Sequence, residues 1–171
     1  VYLHDLKEYN KILLQRNKLL KQISFQPSLE DTLDIWDMQL LQYGESIIKR
    51  RSQFIEEIGE TVTKVNENLT GNKEHLQMLY EPDVTIDEFA NKLNNYRERD
   101  KKLFSTSVGP HRDDLCFMNK DIDIRKYGSQ GQQRTCALSL KLAEIEIVKN
   151  MTGDSPVLLL DDVLSELDRN R

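Results

Sequence analysis

At 171 residues the chain is long enough for one domain, or for one domain and part of another. With 38% hydrophobic against 31% charged residues and a mean hydropathy of −0.61, it predicts long solvated helices rather than a thick globule. The net charge of −5 argues against a strongly basic nucleic-acid module, although it leaves room for a local basic patch. Cys116 and Cys136 lack metal-like spacing, which predicts reduced thiols in a cytosolic setting. No apolar run is long enough to span a bilayer and no signal-peptide pattern opens the chain, so it reads as soluble.

His4–Ile23 carries Leu6, Tyr9, Ile12, Leu13, Leu19 and Leu20 at helical spacing. Ser24–Pro27 breaks it, and Ser28 is the expected N-cap of the next helix, with Glu30 and Asp31 in its first turn. That helix is predicted to run to about Leu69 and to stop at Thr70-Gly71-Asn72. Its apolar residues Leu33, Trp36, Leu40, Tyr43, Ile47, Phe54, Ile58, Val62, Val65 and Leu69 suit an antiparallel helix pair. Gly44 is the point at which it is expected to bend, and Lys49-Arg50-Arg51 reads as a solvated basic face.

Glu74–Tyr80 alternates like a strand, with His75 structural or exposed. Thr85-Ile86-Asp87-Glu88 is a capping-box pattern predicting a helix to about Phe104, with Phe89, Leu93, Tyr96 and Leu103 facing a core. Arg97, Arg99, Lys101 and Lys102 form a second basic cluster, and Ser105–Gly109 a polar loop. Asp114–Asn119 and Asp121–Lys126 read as a hairpin turning near Asn119-Lys120. His111, Asp113 and Asp114 have no further ligand nearby, so a structural or coupling role is expected rather than a metal site.

Tyr127–Arg134 holds two glycines and a serine ahead of an amphipathic run, Thr135–Met151. After the break Gly153–Pro156, the apolar stretch Val157–Leu160 reads as a buried strand ending in Asp161-Asp162. Glycines and helix-opening amides make an anion site, to which Ser129 adds a hydroxyl and Gln132 an amide. Acids at a strand's carboxyl end fall where such sheets bind ligands. Asp161 there suits Mg²⁺ held through water, and Asp162 suits orienting or deprotonating an attacking water. Each part also has a structural reading: the glycines as the shaping of a helix start, the acids as the cap of a turn.

Ser129–Gln133 resembles the signature motif of ABC-type ATPases, Val157–Asp162 their Walker B strand, and Ser165-Glu166-Leu167-Asp168 their D-loop. Gly109–Asp114, Tyr127–Thr135, Leu138–Glu144 and Tyr2–Leu6 are similar, more closely, to the RecF family of bacterial recombination mediators. The resemblance implies an α/β fold: part of an ATPase head over 105–171, joined to a long antiparallel helical arm over 1–104. It implies that Ser129, Gly131 and Gln132 contact in trans the γ-phosphate of ATP bound by a second head. Asp161 would hold Mg²⁺, Asp162 would act on the attacking water, and Ser165, Glu166, Leu167 and Asp168 would line the dimer interface. The expected partners are duplex DNA and single-strand/duplex junctions, a second copy in an ATP-dependent homodimer, and other recombination mediators, with no membrane. The setting implied is bacterial, cytoplasmic and nucleoid-associated, in replication, repair, recombination and the SOS response to DNA damage. The usual catalytic glutamate is here Asp162, whose shorter side chain must still reach its water.

No Gly-x-x-x-x-Gly-Lys-[Ser/Thr] run occurs in the chain. On the family reading, the phosphate loop lies upstream of Val1 and the histidine that follows the D-loop lies beyond Arg171. The isolated chain is then expected to be inactive towards ATP. The competing reading is a non-enzymatic helical interaction module whose glycine turn and acid pair are structural. A transporter ATPase fits poorly, because a long helical insertion precedes the signature.

Overall fold

The computed structural model describes residues 1–158. The first helix, α1 (Tyr2–Ile23), buries Tyr9, Ile12, Leu19, Leu20 and Ile23 along one stripe, as its periodicity predicts. Ser28 is not a helix cap. Pro27, whose fixed φ and missing N–H suit a first turn, opens a 3-10 helix over Pro27–Thr32, and α2 (Leu33–Thr70) begins only after it. The predicted end of α2 is borne out. Gly71 and Asn72 take φ of +60° and +61°, and the Asn72 amide donates to the Glu67 carbonyl at 2.8 Å, closing a left-handed C-terminal cap.

Gly44 sits inside the helical run of α2, and its role is close packing rather than bending. A Cβ there would stand 2.5 Å from Phe89 Cε1 and 3.2 Å from Tyr9 Cε2. The apolar stripe of α2 also departs from expectation in its middle: Ile55 is buried and Phe54 is exposed.

The chain forms two compact units, each built from two separate stretches. The first comprises Val1–Ser52 and Glu81–Asp114. Within it α1 and α2 run antiparallel, since Asp5 meets Ser46 while Arg16 meets Asp37. Leu19, Leu20, Ile23 and Leu33 form a core against which Leu29 and Trp36 pack. The predicted single helix after Thr85 is two helices, α3 (Ile86–Asn95) and α4 (Arg97–Leu103). They divide at Tyr96, whose φ and ψ of −91° and −1° lie in the bridge region. Thr85 makes no capping bond to the backbone; its hydroxyl donates to Glu88 Oε2 at 3.1 Å. Phe89 and Leu93 are buried as expected, whereas Leu103 is exposed.

The second unit comprises Gln53–Tyr80 and the chain from Leu115 onward. Its sheet has the order β1-β2-β3, formed by Leu76–Glu81, Asp114–Asn119 and Ile122–Asp123. The predicted hairpin is present, with Met118 opposite Asp123, Asn119 opposite Ile122, and Lys120 at φ +55° in the turn. Its second strand is shorter than Asp121–Lys126, because Asp123 caps a short helix, α5 (Ile124–Tyr127). Last among the described elements is α6 (Gln130–Thr152), closed by Gly153 at φ +76°. Val62, Leu76, Phe117, Ile124, Cys136 and Ala143 form the core of this unit. Val157 and Leu158 are not in a strand, and Leu159 onward lies outside the described residues. Among the described residues no helix is long and apolar enough to cross a membrane.

Candidate functional site

The start of α6 is assembled from both sides. Asp123 Oδ1 accepts from the amides of Arg125 at 2.9 Å and Lys126 at 3.4 Å. The Lys126 ammonium, 2.8 Å from Asp123 Oδ2, bonds to the carboxylate and holds it below the ordinary carboxylate range. The Gly128 amide then donates to the Ile124 carbonyl at 3.0 Å. A Cβ at Gly128 would lie 2.5 Å from that oxygen, so only glycine lets the chain pass this closely.

Ser129 is the N-cap of α6. Its Oγ accepts from the Gln132 amide at 3.3 Å, and the Ser129 amide donates to Gln132 Oε1 at 2.9 Å. This reciprocal box places Gln130, Gly131 and Gln132 in the first turn of the helix. The glycine motif is therefore the opening turn itself, whereas the sequence had suggested a turn ahead of a helix beginning at Thr135.

Both caps leave donors over. Ser129 Oγ spends a lone pair and keeps its proton; Gln132 spends its carbonyl and keeps its NH₂ group. Among the described residues none accepts from the amides of Gln130 or Gly131, and Ser129, Gln130 and Gly131 are exposed. Two amides, a hydroxyl and a carboxamide thus remain at the positive end of a 23-residue helix. That set suits a phosphate oxygen, and the capping bonds of Ser129 and Gln132 do not use it up. Of the other predicted site residues, Asp161, Asp162, Ser165, Glu166, Leu167 and Asp168 lie outside the described residues.

No family model matches the chain. It is 57% identical over its whole length to the DNA replication and repair protein RecF of Lachnoclostridium phytofermentans, and 57% identical to that of Lachnospira eligens. It is 45% identical to that of Halalkalibacterium halodurans. In the solved structures of the recombination mediator protein RecF in the RecFOR pathway, described as RecF-ATP and RecF-ATPrS, 99% of the chain superposes with a TM-score of 0.88 at 41% and 42% identity.

The chain belongs to the RecF family. It spans about half the length of the curated relatives it matches, 48% in the first two cases.

In this RecF-family chain the Gly109–Asp114 motif is a structural knot within the first unit. His111 Nδ1 lies 2.7 Å from the Tyr9 hydroxyl and Nε2 lies 3.0 Å from the Thr106 carbonyl. The carbonyl can only accept, so Nε2 carries the proton and Nδ1 accepts from Tyr9. Asp113 Oδ2 accepts from Arg51 Nη1 at 2.8 Å, and Oδ1 accepts from the Asp83 amide at 3.0 Å. Arg51 also donates to the Pro110 carbonyl at 2.6 Å, which takes it out of the solvated basic face foreseen for Lys49-Arg50-Arg51. Among the described residues no group of histidine, cysteine and carboxylate side chains is arranged to hold a metal.

Burial, with a smaller contribution from Arg112, holds His111 below its ordinary pKa of 6.5, against the opposing effects of the Thr106 carbonyl, Asp83 and Asp113. A histidine with a depressed folded pKa stabilises the fold above the unfolded value and loses that contribution as pH falls through 6.5 toward the folded value. The urea midpoint is therefore expected to fall between pH 7.5 and pH 5, and His111→Gln to flatten that dependence; an unchanged slope in the variant would contradict the assignment.

Sequence reasoning missed Arg16. It is fully buried, donating from Nε to Asp37 at 2.6 Å and from Nη1 to Asp100 and Thr106 at 2.8 Å each. Its signal was a cation standing on the apolar stripe, seven residues after Tyr9 and three before Leu19. Asp37 has the same standing on α2, four residues after Leu33 and three before Leu40. Most of the second basic cluster is likewise spent internally, Lys102 being exposed. Arg97 binds Asp34 and Asp37, Lys101 binds Glu30 and Glu98, and Arg99 lies over the Tyr96 ring. His75, read as structural or exposed, is exposed and lies 2.7 Å from Glu67 Oε1. Burial pushes the Cys136 thiol up to about 11, aided by Glu74, so it is not a reactive nucleophile.

Proposed function

We propose that this chain supplies the signature half of a composite ATP site in a RecF-like recombination mediator. The observation that carries the reading is the exposed first turn of α6, with two uncommitted amides, the Ser129 proton and the Gln132 amide converging on one end of the helix. ATP bound by the phosphate loop of a partner head would offer its γ-phosphate to this turn, and the contact would join two heads into a clamp on DNA. Asp161 would hold Mg²⁺ through water, which neutralises developing phosphate charge, and Asp162 would orient or deprotonate the attacking water. Both roles, and the D-loop role of Ser165–Asp168, rest on sequence and family resemblance. So does the division into a helical arm over 1–104 and a head segment over 105–171. Duplex DNA and its junctions with single strands, together with other mediator proteins, are the partners this reading requires, in the bacterial cytoplasm.

Ser129→Asp separates the cap from the phosphate contact. Aspartate caps a helix as well as serine, so the thermal midpoint is expected to stay within about 2 °C, consistent with the small energy difference between the two caps. The added charge would meet the γ-phosphate, so ATP turnover by the complete protein should fall by at least about a hundredfold, the scale of losing oriented donors at a reacting centre. The 171-residue chain alone is expected to show no turnover. Wild-type turnover in the Ser129→Asp protein would refute the site.

A further inference from the structure

One face of α1 runs against the acidic balance of the chain. Lys7, Lys11, Lys18 and Lys21 are all exposed, at successive spacings of four, seven and three residues. At roughly 100° per residue this confines them to an arc of about 80°, and at 1.5 Å per residue the row is about 21 Å long. It lies opposite the buried stripe of Tyr9, Ile12, Leu19, Leu20 and Ile23. The acids of α1 do not neutralise the row. Asp5 is buried against Ser46, and Glu8 reaches only Lys11, at 3.7 Å. Among the described residues Lys7, Lys18 and Lys21 form no ion pair. Arg50 of α2, also exposed, approaches Asp5 to 3.8 Å, on the side of α1 away from the lysine row.

An ordinary solvated helix intersperses acids three or four residues from its lysines. This one instead accepts like-charge repulsion along a straight, rigid line. We propose that the exposed lysine face of α1 binds the phosphate backbone of duplex DNA, an inference that rests on the DNA-binding reading given above. Lysines are point charges without the fork of arginine, so the face would fix position on the duplex and read no sequence. A membrane surface suits it poorly. The apolar side of α1 is committed to the protein core, leaving Leu3 and Leu14 as the exposed leucines of the helix.

The test compares the complete protein with its Lys7→Gln/Lys11→Gln/Lys18→Gln/Lys21→Gln variant, measuring duplex affinity in ATP by fluorescence anisotropy between 50 and 200 mM salt. Losing four phosphate contacts is expected to reduce the slope of log K against log salt by about 3.5. Replacing the same lysines by arginine should preserve the slope. Unchanged ATP-dependent mass and unfolding midpoint would show the fold and head contact to be intact. An unchanged slope, with the wild type still binding DNA, overturns the α1 assignment alone. Absence of duplex binding by the wild type overturns both it and the DNA-clamp reading. Loss of binding to phosphatidylserine vesicles, with the DNA slope unchanged, assigns the face to a membrane instead.

Discussion

Replacing Arg16 by alanine is expected to destabilise the first unit by about 3–5 kcal/mol, the range for removing one partner of a buried ion pair. At about 2–4 °C per kcal/mol for a chain of this size, the midpoint would drop by roughly 6–20 °C. The magnitude follows from what remains behind. Asp100 is fully buried, and without Arg16 it keeps only the Ser107 amide at 3.0 Å and the Ser107 hydroxyl. Asp37 fares better because Arg97 still reaches it at 2.8 Å. Thr106 also loses a donor, although its own hydroxyl still donates to Asn17 Oδ1 at 2.7 Å. Asp100→Leu on the Arg16→Met background should therefore recover part of the loss, since an uncompensated buried charge costs more than an apolar pair. Urea denaturation of the single and double variants measures this. Additive losses would show that Arg16 and Asp100 do not act as a pair.

Gly109→Ala is the second large effect, expected at about 2–6 kcal/mol, from two sources. Gly109 has φ +131° and ψ −179°, a conformation essentially closed to residues with a Cβ, at a cost of about 1–3 kcal/mol. A Cβ there would also stand 2.5 Å from the Tyr9 hydroxyl and 3.1 Å from Phe89 Cζ. Both rings are buried, and overpacking of this kind typically costs a further 1–3 kcal/mol. Tyr9→Phe removes the clashing oxygen but not the strain, so Tyr9→Phe/Gly109→Ala should recover only part of the loss relative to Tyr9→Phe. Gly44→Ala is the control. It meets Phe89 at the same 2.5 Å but from a helical backbone, where alanine is favoured by about 1 kcal/mol, so its cost should be smaller. Equal costs at the two positions would mean that the backbone at Gly109 is not strained.

The long helices were legible in sequence because their signals are local. The stripes of α1 and α2, the stop at Gly71-Asn72 and the cap at Gly153 each depend on a few neighbouring residues. What was misread depended on distant partners. Residues 86–103 have unbroken helical character, and nothing nearby announces the break at Tyr96; Asp100 is committed to Arg16, 84 residues away. His111 and Asp113 were read as structural, in keeping with their bonds, but their partners Tyr9, Arg51 and Asp83 lie too far along the chain to be named from sequence. At the candidate site the donor types were readable. That Ser129 and Gln132 cap each other, drawing the glycine motif into the helix, required the backbone geometry.

In the proposed composite site, the start of α6 would touch ATP held by a second head. The most direct measurement is the mass of the complete protein by light scattering, with and without ATP, in an Asp162→Asn background that slows hydrolysis. An ATP-dependent doubling of mass that disappears when Ser129→Arg is added is the expected result. An unchanged mass in ATP, or normal doubling with Ser129→Arg, would contradict it and leave Tyr127–Arg134 as a helix start and nothing more.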